Sequence, residues 1–139
     1  MKKTFLSAVL AGISISFGCM AFLSVENRVV GAALFAVGLF SVCTMKLNLY
    51  TGKACYIFQN DKKYLFALPV IWLGNLLGTS IIAGMVRLTR IGVVSERALS
   101  MCETKLNDSL LSVFLLALLC NFFIYIGVDG FANNPHTLG

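Results

Sequence analysis

The chain has 139 residues, of which 58% are hydrophobic and 12% are charged, and its mean hydropathy is +0.87. This composition excludes an ordinary soluble domain, because there are too few polar side chains to cover the apolar surface in water. The net charge of +5 does not indicate a nucleic-acid partner, since the basic residues are spread over short polar connections and are not gathered with aromatics on one face.

Charge-free runs predict an all-α, polytopic membrane protein with about four spans, in a single membrane domain over residues 1–139. A spanning helix needs roughly 20 residues with few charges, and three runs here have 22, 23 and 20 residues, while the second run in the chain has only 17. In chain order, the predicted elements are spans at 4–24, 29–45, 64–86 and 110–128, with a half-helix at 53–58 after the second span. A polar linker of about 22 residues is predicted before the last span.

The first span has an alternative interpretation as a lipoprotein leader, because Lys2 and Lys3 precede an apolar stretch that contains Gly18 and Cys19. A leader's apolar core has about 7–15 residues, whereas this run continues past Cys19 and three further spans follow. A retained first helix is therefore favoured. The positive-inside rule does not decide the orientation of the spans, since basic residues flank both sides.

The second helix is predicted to break between Lys46 and Lys53, where charged and polar residues and Gly52 interrupt the apolar pattern. Irregular backbone at membrane depth must be buried in protein or line a cavity, and such broken helices indicate substrate sites in transporters. A simple loop between two short helices is the alternative.

Two patterns concern helix packing. Gly74 and Gly78 form a small-xxx-small pattern in the third span, which predicts close helix contact. Phe35 and Leu39 share a helix face, as core residues or as a pore constriction, and spacing alone favours core. Four of the five cysteines lie in apolar segments, Cys102 lies in a polar loop, and their spacing is not that of metal ligands. The sequence predicts no cofactor, no metal site and no enzymatic centre.

Four segments together resemble the formate/nitrite transporter family in sequence and in order. They begin at Gly31, Asn48, Trp72 and Leu118, and read GAALFAVGL, NLYTG, WLGNLLG and LLCN. The resemblance extends over essentially the whole chain, from about residue 5 to residue 128.

The resemblance implies an aquaporin-like fold of two inverted repeats, assembled as a homopentamer in which each protomer has its own hydrophobic pore. The expected substrates are small monovalent anions such as formate, nitrite or hydrosulfide, and protons are expected partners because the anion is thought to cross as its neutral acid. The expected location is the prokaryotic cell membrane. The residues that match family pathway positions are Phe35, Leu39, Leu49, Tyr50, Thr51, Lys105, Asn121 and Ile124. Of these, Lys105 matches a vestibule lysine and Thr51 a threonine of the broken helix.

The chain also departs from the family pattern. Family members have six spans and a central pore histidine in a second broken helix, whereas the only histidine here is His136 in a polar tail. Asn48 stands where many members have an acidic residue, and Tyr50 where Phe is usual. The second repeat is therefore expected to be incomplete. Three interpretations remain. The chain is a truncated member that does not conduct, or a small protein that forms a pore with a partner chain or with further copies of itself, or a four-span structural or multidrug-type protein. The third is disfavoured, because the chain lacks the membrane-embedded carboxylate that a multidrug antiporter needs.

Overall fold

The computed structural model describes residues 1–134, and these residues form helices and turns without a strand. The helices are α1 (Lys2–Ser24), α2 (Arg28–Thr44), α3 (Tyr50–Ala54), α4 (Lys62–Arg87), α5 (Gly92–Leu106) and α6 (Leu110–Asn133), with a 3₁₀ turn at Ile57–Gln59. The prediction of an all-helical membrane protein is confirmed. His136 lies outside the described residues.

Three helices, α1, α4 and α6, are long and apolar enough to cross a membrane. The helix α2 is shorter: its 17 residues extend about 26 Å at 1.5 Å per residue, less than the roughly 30 Å of a hydrocarbon core. Asn27 fixes its start, since its Oδ1 accepts hydrogen bonds from the backbone N–H groups of Val29 and Val30 at 2.9 and 3.3 Å. Such an N-cap satisfies donors that otherwise have no partner.

Glycine lets α1 approach both α2 and α4 closely. A Cβ at Gly38 of α2 would come within 2.9 Å of the Ser14 carbonyl oxygen of α1, and a Cβ at Gly78 of α4 would overlap the Val9 carbonyl oxygen. Lipid removes the hydrophobic drive for helices to associate, so close backbone packing is a main source of stability in a membrane. Gly74 also packs directly on Ala8, as the small-xxx-small pattern predicts.

The helices α1 and α4 run parallel. Ala8 contacts Gly74 near the start of α1, and Leu23 at its end packs in one buried cluster with Val86. The helix α2 runs antiparallel to α1, because Phe22 lies near Gly31 while Ser14 lies near Gly38. This arrangement returns the chain from the end of α2 to the first third of α1, where the break occurs.

Two predicted elements differ from the structure. The half-helix predicted at 53–58 is instead α3 at Tyr50–Ala54 followed by the 3₁₀ turn. Gly52 does not break the helix: it is buried within α3 against Val128, and the break precedes it. The polar linker before the last span contains a 15-residue helix, α5.

The helix α5 is held to the end of α1 by one side chain. Nη1 of Arg97 donates to the carbonyl oxygens of Leu23 and Val25 at 2.8 and 2.9 Å, and Nη2 lies 3.8 Å from Oε1 of Glu26. The carbonyls at a helix C-terminus have no partner within the helix, and a guanidinium supplies donors to several of them at once. Val94 adds a buried apolar contact to Leu23, Ile82 and Val86.

We expect Gly78→Ala to destabilise the protein by about 1–3 kcal/mol, because the added methyl must displace the backbone of α1. Gly84→Ala is the matched control in the same helix, since a Cβ there meets nothing within 4 Å; it should be neutral or slightly stabilising. Unfolding temperatures of the two purified variants in detergent measure the difference. Equal stability of both variants would contradict the close α1–α4 contact.

Candidate functional site

The side chain of Asn75 in α4 joins the two sides of the broken helix. Its Nδ2 donates to the carbonyl oxygen of Asn48 at 3.0 Å and to that of Ala8 at 2.7 Å, while its Oδ1 accepts from the backbone N–H of Tyr50 at 2.8 Å. Asn48 ends the irregular stretch and Tyr50 begins α3. One amide therefore satisfies an acceptor before the break, a donor after it and a carbonyl of α1.

The break lies beside the middle of α4. Asn75 is the fourteenth of the 26 residues of α4, so the backbone that it binds is about 20 Å from either end of this helix at 1.5 Å per residue. The N–H of Asn48 also donates to Oγ of Ser7 at 3.1 Å. Irregular backbone at this depth is tolerated only when protein groups or water satisfy it, and here side chains of α1 and α4 do so.

Two tyrosines position the end of the half-helix. The hydroxyl of Tyr64 in α4 donates to the carbonyl oxygen of Lys53 at 2.8 Å, which satisfies one acceptor at the C-terminal end of α3. The hydroxyl of Tyr56 donates to Oδ1 of Asp129 in α6 at 2.7 Å, and its ring packs against Tyr125 of α6. The half-helix is thus fixed to α4 and to α6.

A cavity of about 520 Å³ lies between α2, α3 and α6, and we call it the α3 cavity. Leu49, Lys46 and Lys53 line it, together with Val128 and Phe131 of α6. Among the described residues, no carboxylate lines this cavity. Its charge is therefore set by the two lysines.

A second cavity of about 770 Å³ lies between α1, α4 and α5, and we call it the α5 cavity. Its wall includes Phe35 of α2, Cys19 and Cys102, and Arg87 is its only lining residue of formal charge within the described part of the chain. Lys105 follows Cys102 by about one helical turn in α5 but does not itself line this cavity.

The two cavities lie on opposite sides of Asn75 along the helix axis. The α4 residues that line the α5 cavity run from Thr79 to Arg87, all after Asn75. The α3 cavity includes Lys53, whose carbonyl is bonded to Tyr64, eleven residues before Asn75 in the same helix. A passage from one cavity to the other would therefore cross the bonded break.

The eight residues that sequence reasoning proposed for the pathway do not converge on one site. Phe35 faces the α5 cavity and Leu49 the α3 cavity, while Leu39, Tyr50 and Thr51 are half-buried around the break. Three further residues lie away from it: Lys105 is exposed on α5, and Asn121 and Ile124 are half-buried on α6. Asn121 donates to the Ala117 carbonyl of its own helix at 2.9 Å.

A family model described as formate/nitrite transporter matches residues 1–133. The chain belongs to the formate/nitrite transporter family. No curated protein and no solved structure matched the chain. Membership establishes a membrane transporter fold for the chain and, at the level of the family, the transport of anions.

Sequence reasoning missed two residues that build this member of the formate/nitrite transporter family. Asn75 was noted only as part of a motif, although an amide in the middle of a span is costly unless it is bonded, which is a signal for a structural role. Arg97 was counted as a linker charge. Nothing local indicates its contact with α1, since its partners are backbone carbonyls more than 70 residues away. Among residues 1–134, no three His, Cys, Asp or Glu side chains gather to hold a metal ion.

We expect Asn75→Ala to reduce the stability of the protein by about 2–3 kcal/mol, because it leaves half-buried backbone groups of Asn48 and Tyr50 without partners. Asn60→Ala is the control, since the exposed Asn60 amide bonds only to the nearby Tyr56 carbonyl. Hydrogen exchange of the amides around residues 47–54 measures the local effect. Exchange that is unchanged in Asn75→Ala would contradict the role of the amide in fixing the break.

Proposed function

We propose that this chain carries small monovalent anions, such as formate, nitrite or hydrosulfide, across the membrane through a hydrophobic pore in each protomer. The observation that supports this most directly is the charge of the two cavities. The residues of formal charge in their walls are Lys46, Lys53 and Arg87, and no carboxylate accompanies them among residues 1–134. Such walls raise the local concentration of anions and lower that of cations.

The apolar residues between the cavities provide the barrier. A hydrated anion that enters the region of Phe35, Leu39 and Leu49 loses water without a compensating charge, which costs several kcal/mol or more. A neutral acid does not bear this cost. We therefore infer that the anion concentrates in the cationic cavities and crosses the apolar region of Phe35, Leu39 and Leu49 after it gains a proton.

The remaining candidate residues have subsidiary roles in this proposal. Lys105 attracts the anion towards the α5 cavity. Thr51 supplies a hydroxyl within the first turn of α3, and Tyr50 narrows the passage at the break. Asn121 and Ile124 border the pathway from α6.

We further propose that the chain works as a homopentamer in a prokaryotic cell membrane. The helix α6 supports an assembled state, because it is strongly apolar and has no buried residue in the isolated chain. Lipid or neighbouring copies must cover such a surface. An assembly with other copies would also enclose the α3 cavity, to which α6 contributes one wall.

The first test is transport by the purified chain in liposomes. Formate, nitrite and hydrosulfide fluxes are measured separately, and the mass of the same sample in detergent is determined. Flux above that of empty liposomes, at a mass near five protomers, is the expected result. A pure, folded sample without flux would overturn the proposal and would favour a non-conducting fragment or a structural subunit that needs a partner chain.

We expect Lys105→Ala to lower formate uptake several-fold at low concentration and much less at saturation, because its positive charge acts on anion capture. Lys105→Arg keeps the charge and should retain most of the uptake. The concentration dependence of flux at low ionic strength distinguishes the variants. Uptake by Lys105→Ala equal to that of the unmodified protein at every concentration would remove this residue from the pathway.

A further inference from the structure

Lys46 has a backbone conformation that is unusual for a residue with a side chain. Its φ is 52°, in the left-handed region, directly after the end of α2. The N–H of Leu47 donates to the Val42 carbonyl at 2.9 Å, and the N–H of Lys46 donates to the Cys43 carbonyl at 3.1 Å. This pair of bonds is the Schellman ending, in which the left-handed position is usually glycine. A residue with a Cβ is strained there, so the backbone geometry does not explain why lysine occupies the position.

Lys46 lies at the level of the break, although its side chain is exposed in the isolated chain. It lies two residues before Asn48, whose carbonyl is bonded to Asn75 at the middle of α4. Ionisable side chains at membrane depth are expensive and generally mark a water-filled cavity or a substrate pathway. Backbone strain of this kind also tends to occur at functional sites.

Lys46 and Lys53 line the same cavity without a countercharge. Within residues 1–134, the one ion pair joins Arg97 to Glu26, so neither ammonium is paired with a carboxylate. Asp129 does not line the cavity; it follows the lining residue Val128 in α6, and its Oδ1 accepts the hydroxyl of the lining residue Tyr56. The cavity thus combines two unpaired positive charges with a wall that is otherwise mainly apolar.

The volume of the cavity suits a small hydrated ligand. A water molecule occupies about 30 Å³ in the liquid, so the cavity of about 520 Å³ holds a small anion together with several waters. It lies on the opposite side of the break from the α5 cavity, whose lining residue Cys102 precedes Lys105 by about one helical turn.

We propose that Lys46 and Lys53 form a second anion-binding site in the α3 cavity, for a small monovalent carboxylate or an oxyanion such as nitrite. The choice of ligand rests on the proposed function. The site gives the face of the pathway opposite Lys105 its own means of concentrating the anion. It also explains why a lysine occupies a left-handed position. The charge of Lys46 strengthens anion binding, although its backbone conformation lowers the stability of the protein.

The Lys46→Gly variant separates the effect of Lys46 on protein stability from its effect on anion binding. Glycine relieves the left-handed strain and removes the charge, so the unfolding temperature should rise by about 3 °C while the protein binds anions more weakly. Binding is measured as the shift in unfolding temperature on titration with sodium formate or sodium nitrite, in uncharged detergent without lipid. Sodium gluconate, a bulky anion, keeps the ionic strength constant.

We expect Lys46→Gly and Lys53→Gln each to raise the half-saturating formate concentration by about tenfold. Lys46→Arg keeps the charge and should bind like the unmodified protein, and Lys62→Gln, at the exposed start of α4, should do the same. Higher stability of Lys46→Gly with unchanged formate binding would overturn the proposal. So would lower stability of that variant, or the absence of any formate- or nitrite-dependent shift in the unmodified protein.

Two further arms separate the possible sources of the anion and the two proposals. The titration is repeated with phosphatidylglycerol and with phosphatidylcholine; if the lysine variants lose only stabilisation by phosphatidylglycerol, the site binds lipid phosphate and the proposal is wrong. Because the assay needs no transport, lysine-dependent formate binding without flux in liposomes would support this site and contradict the proposed function. Flux without lysine-dependent binding would support the proposed function and contradict this site.

Discussion

The three hydrogen bonds of the Asn75 side chain are the interaction on which the arrangement of this chain depends. They allow a helix to be interrupted among membrane-spanning helices, where an unpaired N–H or C=O group costs several kcal/mol. The Asn48 carbonyl and the Tyr50 N–H both bond to this amide, so the break and the start of α3 have a fixed position against α4. The hydrogen-bonded break at Asn75 separates the two cavities, because one cavity lies on each side of it.

The amide reaches its partners only because the helices around it are packed closely. A Cβ at Gly12 of α1 would overlap the carbonyl oxygen of Asn75, so the absence of a side chain there lets α4 come near enough for Nδ2 to bond to Ala8. The glycine contacts and the hydrogen bonds therefore support one another. In a membrane, where helix association gains little from apolar burial, such a combination of close packing and polar contacts is the expected way to hold helices together.

The features that local sequence predicts are those that depend on local composition. Charge-free runs indicate the spans, and the mixed polar stretch from Lys46 to Lys53 indicates the break.

The predicted position of the half-helix was wrong because Gly52 was interpreted as a helix breaker, whereas the start of α3 depends on Asn75, 25 residues from Tyr50. The helix α5 was missed because its polar sequence has one buried residue, Val94, and its main tether, Arg97, bonds to α1. These contacts are non-local. The pathway residues came from family resemblance, and apart from Phe35 and Leu49 they do not line the two cavities.

The distribution of charged side chains leaves positive charge in the walls of the two cavities. Several of its carboxylates are already bonded within the protein: Asp129 accepts from Tyr56, Asp108 from Ser112, and Glu26 pairs with Arg97. The cavity lysines have no such partner among residues 1–134. In the proposed function, the charges of the two cavities favour anions at the approach, while the apolar region of Phe35, Leu39 and Leu49 opposes any ion that keeps its charge. A solute that is anionic in water and neutral when protonated satisfies both conditions, whereas a permanently charged anion satisfies only the first. In that proposal the apolar region, and not either cavity, decides which small anions cross.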